Sequence, residues 1–282
     1  MRTLVLASSL FVVGCQCGGS EVVITGAGDG GLRADGGQRD GGGAGAAGGG
    51  AAGGGLEGGG SAAGGSAGGA PDAGPPCDVV IATIRDFRDD HPDFESFSGS
   101  RETTGLVRDA LGPDDLPVHA ANGPTSQTTG PANFNQWYRD AGVNQAFQVQ
   151  LPVMRNAGGD LVFDSDAFFP IDGQGFGNQG RANNFHFTTV IRSSFTYRGG
   201  ERFTFRGDDD VWIFVNRRLA LDLGGLHPAV MGSIDFDAQA SRLGLTRGQT
   251  YRFDVFHAER HTSESNFRMQ TSIDCFRPPE IQ

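Results

Sequence analysis

Lysine is absent. All 22 basic residues are Arg, against 33 acidic ones, for a formal net charge of -11. So acidic a chain lacks the basic surface that phosphates require, which excludes a nucleic-acid partner. The exclusive use of Arg fits a GC-rich genome and carries no functional weight. Long apolar runs are also missing: Leu4 to Val13 amounts to about ten residues, whereas a bilayer-spanning helix needs about 20. There is no Gly-x-Ser-x-Gly elbow of the serine hydrolases. The glycines at 173, 175 and 177 lack the strand-turn-helix setting of a nucleotide site. Trp and Tyr are scarce, two and three against 21 Phe, which suits a deep apolar core better than an aromatic sugar platform. No pair of catalytic carboxylates stands out among the acidic residues, so no catalytic residue is assigned.

What is present divides the chain sharply. Arg2, the apolar stretch Leu4 to Val13 and Gly14-Cys15 read as an export signal. Val12-Val13-Gly14-Cys15 resembles a bacterial lipobox, in which the Cys becomes the lipidated first residue; the other reading is an ordinary cleaved signal that contains a Cys. Gln16 is not the Asp that retains lipoproteins on an inner membrane, so in a Gram-negative cell the resemblance points to the outer membrane. Residues 15–76 form the expected lipidated tether. Apart from Val22-Val23-Ile24 it is nearly all Gly, Ala, Ser and Asp, which bury too little apolar area to offset ordering entropy. As a Gly-rich coil, about 59 residues span roughly 40 to 45 Å. Collagen is excluded, because Gly does not recur at every third position and Pro is sparse.

The expected domain runs over 77–276, with a short tail at 277–282. Cys77 and Cys275 stand at its two edges in an oxidising, exported setting, and we expect them to pair, tying its ends together. Closing so long a loop is worth at most about 4 to 5 kcal/mol before native strain. Cys17 has no evident partner. Short alternating runs indicate strands: Val79 to Ile84, Arg202 to Arg206, the stretch around Trp212 and Phe214, Tyr251 to Val255, and Phe267 to Ile273. Only Gly105 to Leu111 and Phe134 to Ala141 suit short helices. The expected fold class is all-β, an antiparallel, jelly-roll-like β-sandwich.

Several motifs then resemble the fibro-slime domain, in that family's order across about 78 to 275. They are Arg85-Asp86-Phe87 with His91-Pro92-Asp93-Phe94-Glu95, Phe168 to Gly177, Asn184 to Thr188, Gly207 to Asn216, Asp222 to His227, and His257 to His261 with Asn266-Phe267-Arg268. The resemblance implies kinship with the β-sandwich named after the anthrax protective antigen, a mostly carbohydrate-binding module found in adhesins, toxins and glycosidases. It implies a monomeric surface module whose partners are glycans or extracellular matrix. One departure is Asn216-Arg217 where the family has Asn-Gly, so a looser hairpin is expected there.

Asp208-Asp209-Asp210 is the most informative cluster, since adjacent carboxylates repel and need a cation or hydrogen-bond donors in return. The resemblance implies Ca2+ held by Asp208 and Asp209 across a cis peptide, with Asn266 adding an oxygen; these three are the expected metal and ligand residues. The other reading is a solvated acidic turn. His257-Ala258-Glu259-Arg260-His261 does not follow the zinc-protease order. On a strand, residues 257 and 261 stand about 13 Å apart, so ion pairing or hydrogen bonding at a strand end is the expected role. His227 and the Gly173–Gly177 loop read as turn chemistry. Three functions follow: calcium-bridged glycan binding, a matrix or protein-contact module in which the ion only braces loops, and glycan hydrolysis.

Overall fold

The alternating Phe, Val and Ile positions place one side chain of every two on the same face of a strand, and two such faces close on each other. A computed structural model describes residues 24–25 and 77–278 of the protein. The expected signal at 1–14, the anchor Cys15, Cys17, the rest of the tether and the tail beyond 278 lie outside the described residues. The strands are β1 (Ile24–Thr25), β2 (Val79–Phe87), β3 (Asn144–Pro152), β4 (Met154–Arg155), β5 (Leu161–Ser165), β6 (Phe187–Thr196), β7 (Arg202–Gly207), β8 (Asp210–Val215), β9 (Arg218–Leu223), β10 (Val230–Asp235), β11 (Thr250–Glu259) and β12 (Phe267–Thr271). Two helices complete the set, α1 (Pro131–Phe134) and α2 (Phe236–Leu243).

All the ladders are antiparallel. One sheet has the order β1-β3-β2-β6-β11-β8-β9 and the other β10-β7-β12-β5-β4. The expected all-β sandwich is therefore present. Between the sheets lies a core of Ile84, Leu151, Phe187, Phe203, Phe205, Ile213, Phe253 and Phe267 with their neighbours. The disulfide joins Cys77 to Cys275, with Cα atoms 5.1 Å apart, so the ends of the domain are tied as expected.

A second core covers the outer face of the larger sheet. The long connection between β2 and β3 lays Phe94, Leu106, Val107, Phe134, Trp137 and Tyr138 over Trp212, Phe214 and Phe256. Both Trp residues are fully buried here. This explains one misreading: Gly105 to Leu111 is not helical. Its apolar side chains serve as a lid, held by backbone bonds from Arg108 to Val118 and from Ala120 to Leu106. The second expected helix survives only as α1, which ends at Phe134.

The Asn216-Arg217 hairpin also departs from expectation. It is tight, with Val215 opposite Arg218 and positive φ at both Asn216 (50°) and Arg217 (64°). Outside contacts hold the backbone where glycine would be easier: Asn216 Nδ2 donates to the Leu243 carbonyl (2.8 Å) and an Arg217 guanidinium N–H to the Gly112 carbonyl (2.7 Å). In the Gly173–Gly177 loop, a Cβ on Gly175 would lie 2.1 Å from an Asp86 carboxylate oxygen, so glycine lets this loop close onto β2.

Candidate functional site

Two cross-overs between the sheets lie side by side at one rim. The acidic run passes from β7 to β8, and residues 260–266 pass from β11 to β12; Gly207 faces Phe267, and Asp210 faces Ala258. A Cβ on Gly207 would lie 2.6 Å from the Asn266 carbonyl oxygen, so only glycine permits this approach. Carboxylates of the first connection and of the end of β11 are thereby drawn into one buried patch.

Each Asp turns to different partners. Asp208 accepts from the backbone N–H (2.5 Å) and the side-chain amide (2.9 Å) of Asn266. Asp209 Oδ2 accepts from the backbone N–H groups of Arg260 (2.8 Å) and His261 (3.1 Å). Asp210 accepts from Arg260 Nε (2.6 Å) and from the Gly225 N–H (2.6 Å). The structure brings Asn266 onto Asp208, which it faces through its nitrogens, and sets Asp209 beside them against Arg260 and His261. The implied cis bond is not at Asp208–Asp209. Asp209 instead takes a left-handed backbone (φ 54°), and the one cis peptide among the described residues joins Thr262 to Ser263.

Arg260 is the cation of the patch, and the hydrogen-bonding role expected at the end of β11 is present. Fully buried, it also donates to the carbonyls of Asp93 (2.7 Å) and Gln127 (2.9 Å) and lies over the Trp137 ring at 4.8 Å. Asp93 in turn accepts from Thr129 and from Trp137 Nε1 (3.1 Å). The outer core and the acidic rim are therefore one hydrogen-bonded network.

Glu259 is the residue that the pattern of the sequence did not single out. It is fully buried, and neither carboxylate oxygen has a hydrogen-bond partner. Burial, followed by the charges of Asp209 and Asp208, pushes its carboxyl well above the usual range. Asp209 is raised as well, by burial against the opposing pull of Arg260, and so is Asp208, by burial against the Asn266 bonds. The patch thus sets four carboxylates, Asp208, Asp209, Asp210 and Glu259, against one guanidinium.

Above it opens a cleft of about 340 Å³ whose lining includes Ser98, Asp208, Asp209, His227, His261 and Thr262. Its walls come from residues far apart in the chain. A Cβ on Gly99 would lie 2.0 Å from the Leu226 carbonyl oxygen, which fixes how closely two of them approach. Glu95 supports a third, accepting from Thr262 Oγ1 (3.1 Å) and bonding to His186 Nε2 (2.8 Å). His227 reads as expected, its ring nitrogens 3.0 Å from the Pro228 and Leu223 carbonyls. His257 is buried beside the Phe168, Phe187 and Phe267 rings, whereas His261 reaches the cleft.

Carboxylate oxygens, the donor type of hard cations, dominate the patch, and burial raises the carboxyls of Asp208, Asp209 and Glu259. Among the described residues no group of three His, Cys, Asp or Glu side chains is arranged to hold a metal ion.

These features define an antiparallel β-sandwich with an acidic rim cleft. Residues 169–280 match the PA14 domain model, a span that includes β6 to β12 and all four carboxylates. Among curated proteins, protein psiQ of Dictyostelium discoideum is 42% identical over 202 residues, 66% of this chain and 20% of psiQ. Protein psiD of the same organism is 37% identical over 220 residues, 71% of this chain and 42% of psiD. The chain thus spans between a fifth and about two-fifths of these relatives' length. Among solved structures, the PA14 sugar-binding domain from an RTX adhesin is 8% identical with a TM-score of 0.33, over 72% of this chain and 94% of that one. The A domain of epithelial adhesin 9 from Candida glabrata, in complex with Galb1-4GlcNAc, is 11% identical with a TM-score of 0.32, over 74% and 87%.

Proposed function

We propose that the chain is a cell-surface lipoprotein whose domain, of the fibro-slime type, binds glycans through calcium. In this reading Cys15 carries the lipid, residues 15–76 hold the domain away from the membrane, and residues 77–276 act without catalysis. The observation that carries it is the convergence of four buried carboxylates and one guanidinium beneath an open cleft. The PA14 match over the same strands supports it. Asp208 and Asp209 would hold the ion, with Asn266 placing Asp208. Bound calcium would supply positions at which sugar hydroxyls replace water. The test is a glycan array probed with the full chain, with and without chelator, beside the Asp208→Asn, Asp209→Asn double variant. Binding lost to chelator and to the variant is the expected result. Binding indifferent to both would remove the calcium bridge. Blank arrays, with a melting temperature that falls on chelation, would establish the loop-bracing reading, and turnover of a polymeric glycan would establish hydrolysis.

A further inference from the structure

One flank of the larger sheet is built unlike the other edges of the sandwich. β3 reads Asn144-Gln145-Ala146-Phe147-Gln148-Val149-Gln150-Leu151-Pro152, with no charge, no glycine, and proline only as its last residue. Val149 and Leu151 turn to the core, while Gln148 and Gln150 are exposed. The other strands that end a sheet each carry charge: Arg218 and Asp222 in β9, Asp235 in β10, and Arg155 in the two-residue β4. Charge, proline and shortness are what keep a strand edge from pairing with another chain, and β3 has none of them from Asn144 to Leu151. Its first flank is fully used, since β2 pairs with it from Val79 opposite Pro152 to Phe87 opposite Asn144. On the second flank lies β1, antiparallel, with Ile24 opposite Val149 and Thr25 opposite Gln148. Ile24 belongs to Val22-Val23-Ile24, the apolar run that sets this stretch apart from the Gly, Ala, Ser and Asp around it.

We propose that the second flank of β3 is a strand-docking site whose occupant is the chain's own β1, and that this docking shields the edge from pairing with a second copy of the chain. The entropic cost of closing the connection from β1 back to the domain grows only slowly with its length, so a segment this far away in sequence can still serve. The ladder is two residues long, which makes the docked strand exchangeable. With Cys15 lipidated, as proposed above, docking also places β1 nine residues from the lipid, at most about 30 Å when extended, and so limits how far the domain stands from the membrane. The docking itself rests neither on the lipid nor on the calcium reading.

The experiment compares the full chain with its Ile24→Pro, Thr25→Pro variant by amide hydrogen exchange of β3 and by light scattering over a range of concentrations. N–H groups alternate between the two flanks of a strand, so one of Gln148 and Val149 points its N–H at β1. Proline removes the donors of β1 and cannot sustain the ladder. The β3 amide facing β1 is expected to exchange at least tenfold faster in the variant, and the variant to self-associate where the wild type is a monomer. Adding Gln148→Lys, which gives β3 a charge like those of the other edges, is expected to return the variant to a monomer. Equal exchange in wild type and variant would overturn the docking. Protection that fades on dilution of the wild type, together with dimers, would show that the strand comes from a second copy and overturn the assignment to the same chain. A variant that stays monomeric at every concentration would overturn the shielding. Should the prolines impair folding, Ile24→Gly, Thr25→Gly weakens the strand while keeping its N–H groups and is read in the same way.

Discussion

The two faces of the larger sheet bury polarity in opposite ways. On the outer face, Arg260, Asp210 and Asp93 are tied by hydrogen bonds to one another, to Trp137 and to the backbones of the covering loops; single atoms of Arg260, Arg252, Asp254, Asp115 and Tyr138 are left over, but no whole charged group. On the inner face, His257 and Glu259 enter an apolar space almost without partners. His257 Nε2 has none, Nδ1 has only a 3.4 Å approach to Thr189 Oγ1, and both Glu259 oxygens are bare. Compensated burial of this kind holds a loop in one place. Uncompensated burial instead holds the inner-face groups in their neutral forms, with the Glu259 carboxyl raised and the His257 imidazole lowered.

The comparison breaks most readily at Arg260. Replacing it by Met keeps much of its bulk over Trp137 but strands Asp210 without its cation. Breaking such a buried pair costs about 3 to 5 kcal/mol. Denaturant unfolding should show a loss of that size, and a change within 1 kcal/mol, on the scale of an ordinary surface substitution, would mean that the outer network is not what holds the covering loops.

A smaller effect sharpens the inner half. Burial holds the His257 imidazole neutral down to about 3, whereas in the unfolded chain it protonates near its ordinary value. Between those two values the unfolded state binds the extra proton, so this residue's contribution to stability is present at neutral pH and is lost as the pH falls from about 6.5 to 3. The slope from one such group is at most about 1.4 kcal/mol per pH unit. His257→Leu should remove that component, so the difference in stability between wild type and variant should change across the window. A constant difference from pH 7 to pH 4 would show that the ring takes up its proton within the fold.

Much of this architecture was legible. Alternating or continuously apolar runs marked β2, β7, β8, β11 and β12, because those strands have one face against the inter-sheet core. The pairing of Cys77 with Cys275 followed from their positions. The helix α2 was missed, although both its signals stand in the sequence: Asp235 caps it by accepting from the Ala238 N–H (3.0 Å), and Gly244 ends it at φ 69°. The connection at 105–111 misled because its apolar residues serve a second core that local periodicity does not reveal. Asp208 and Asp209 were legible as a cluster, since adjacent carboxylates demand compensation. The burial of Glu259 beside Asp209 was not, because only the fold brings the end of β11 under the acidic run, and Ser98, Gly99 and His227 meet at the cleft only through the fold.

The most direct test of the central claim, that the rim patch is completed by a cation, is calorimetric titration of calcium into the full chain and into its Asp208→Asn, Asp209→Asn variant. The account predicts saturable binding by the wild type that is abolished in the variant, with calcium at about 100 times its dissociation constant adding about 2.7 kcal/mol to wild-type stability. A folded wild type that takes up no calcium, or a variant that binds it equally well, would contradict the account.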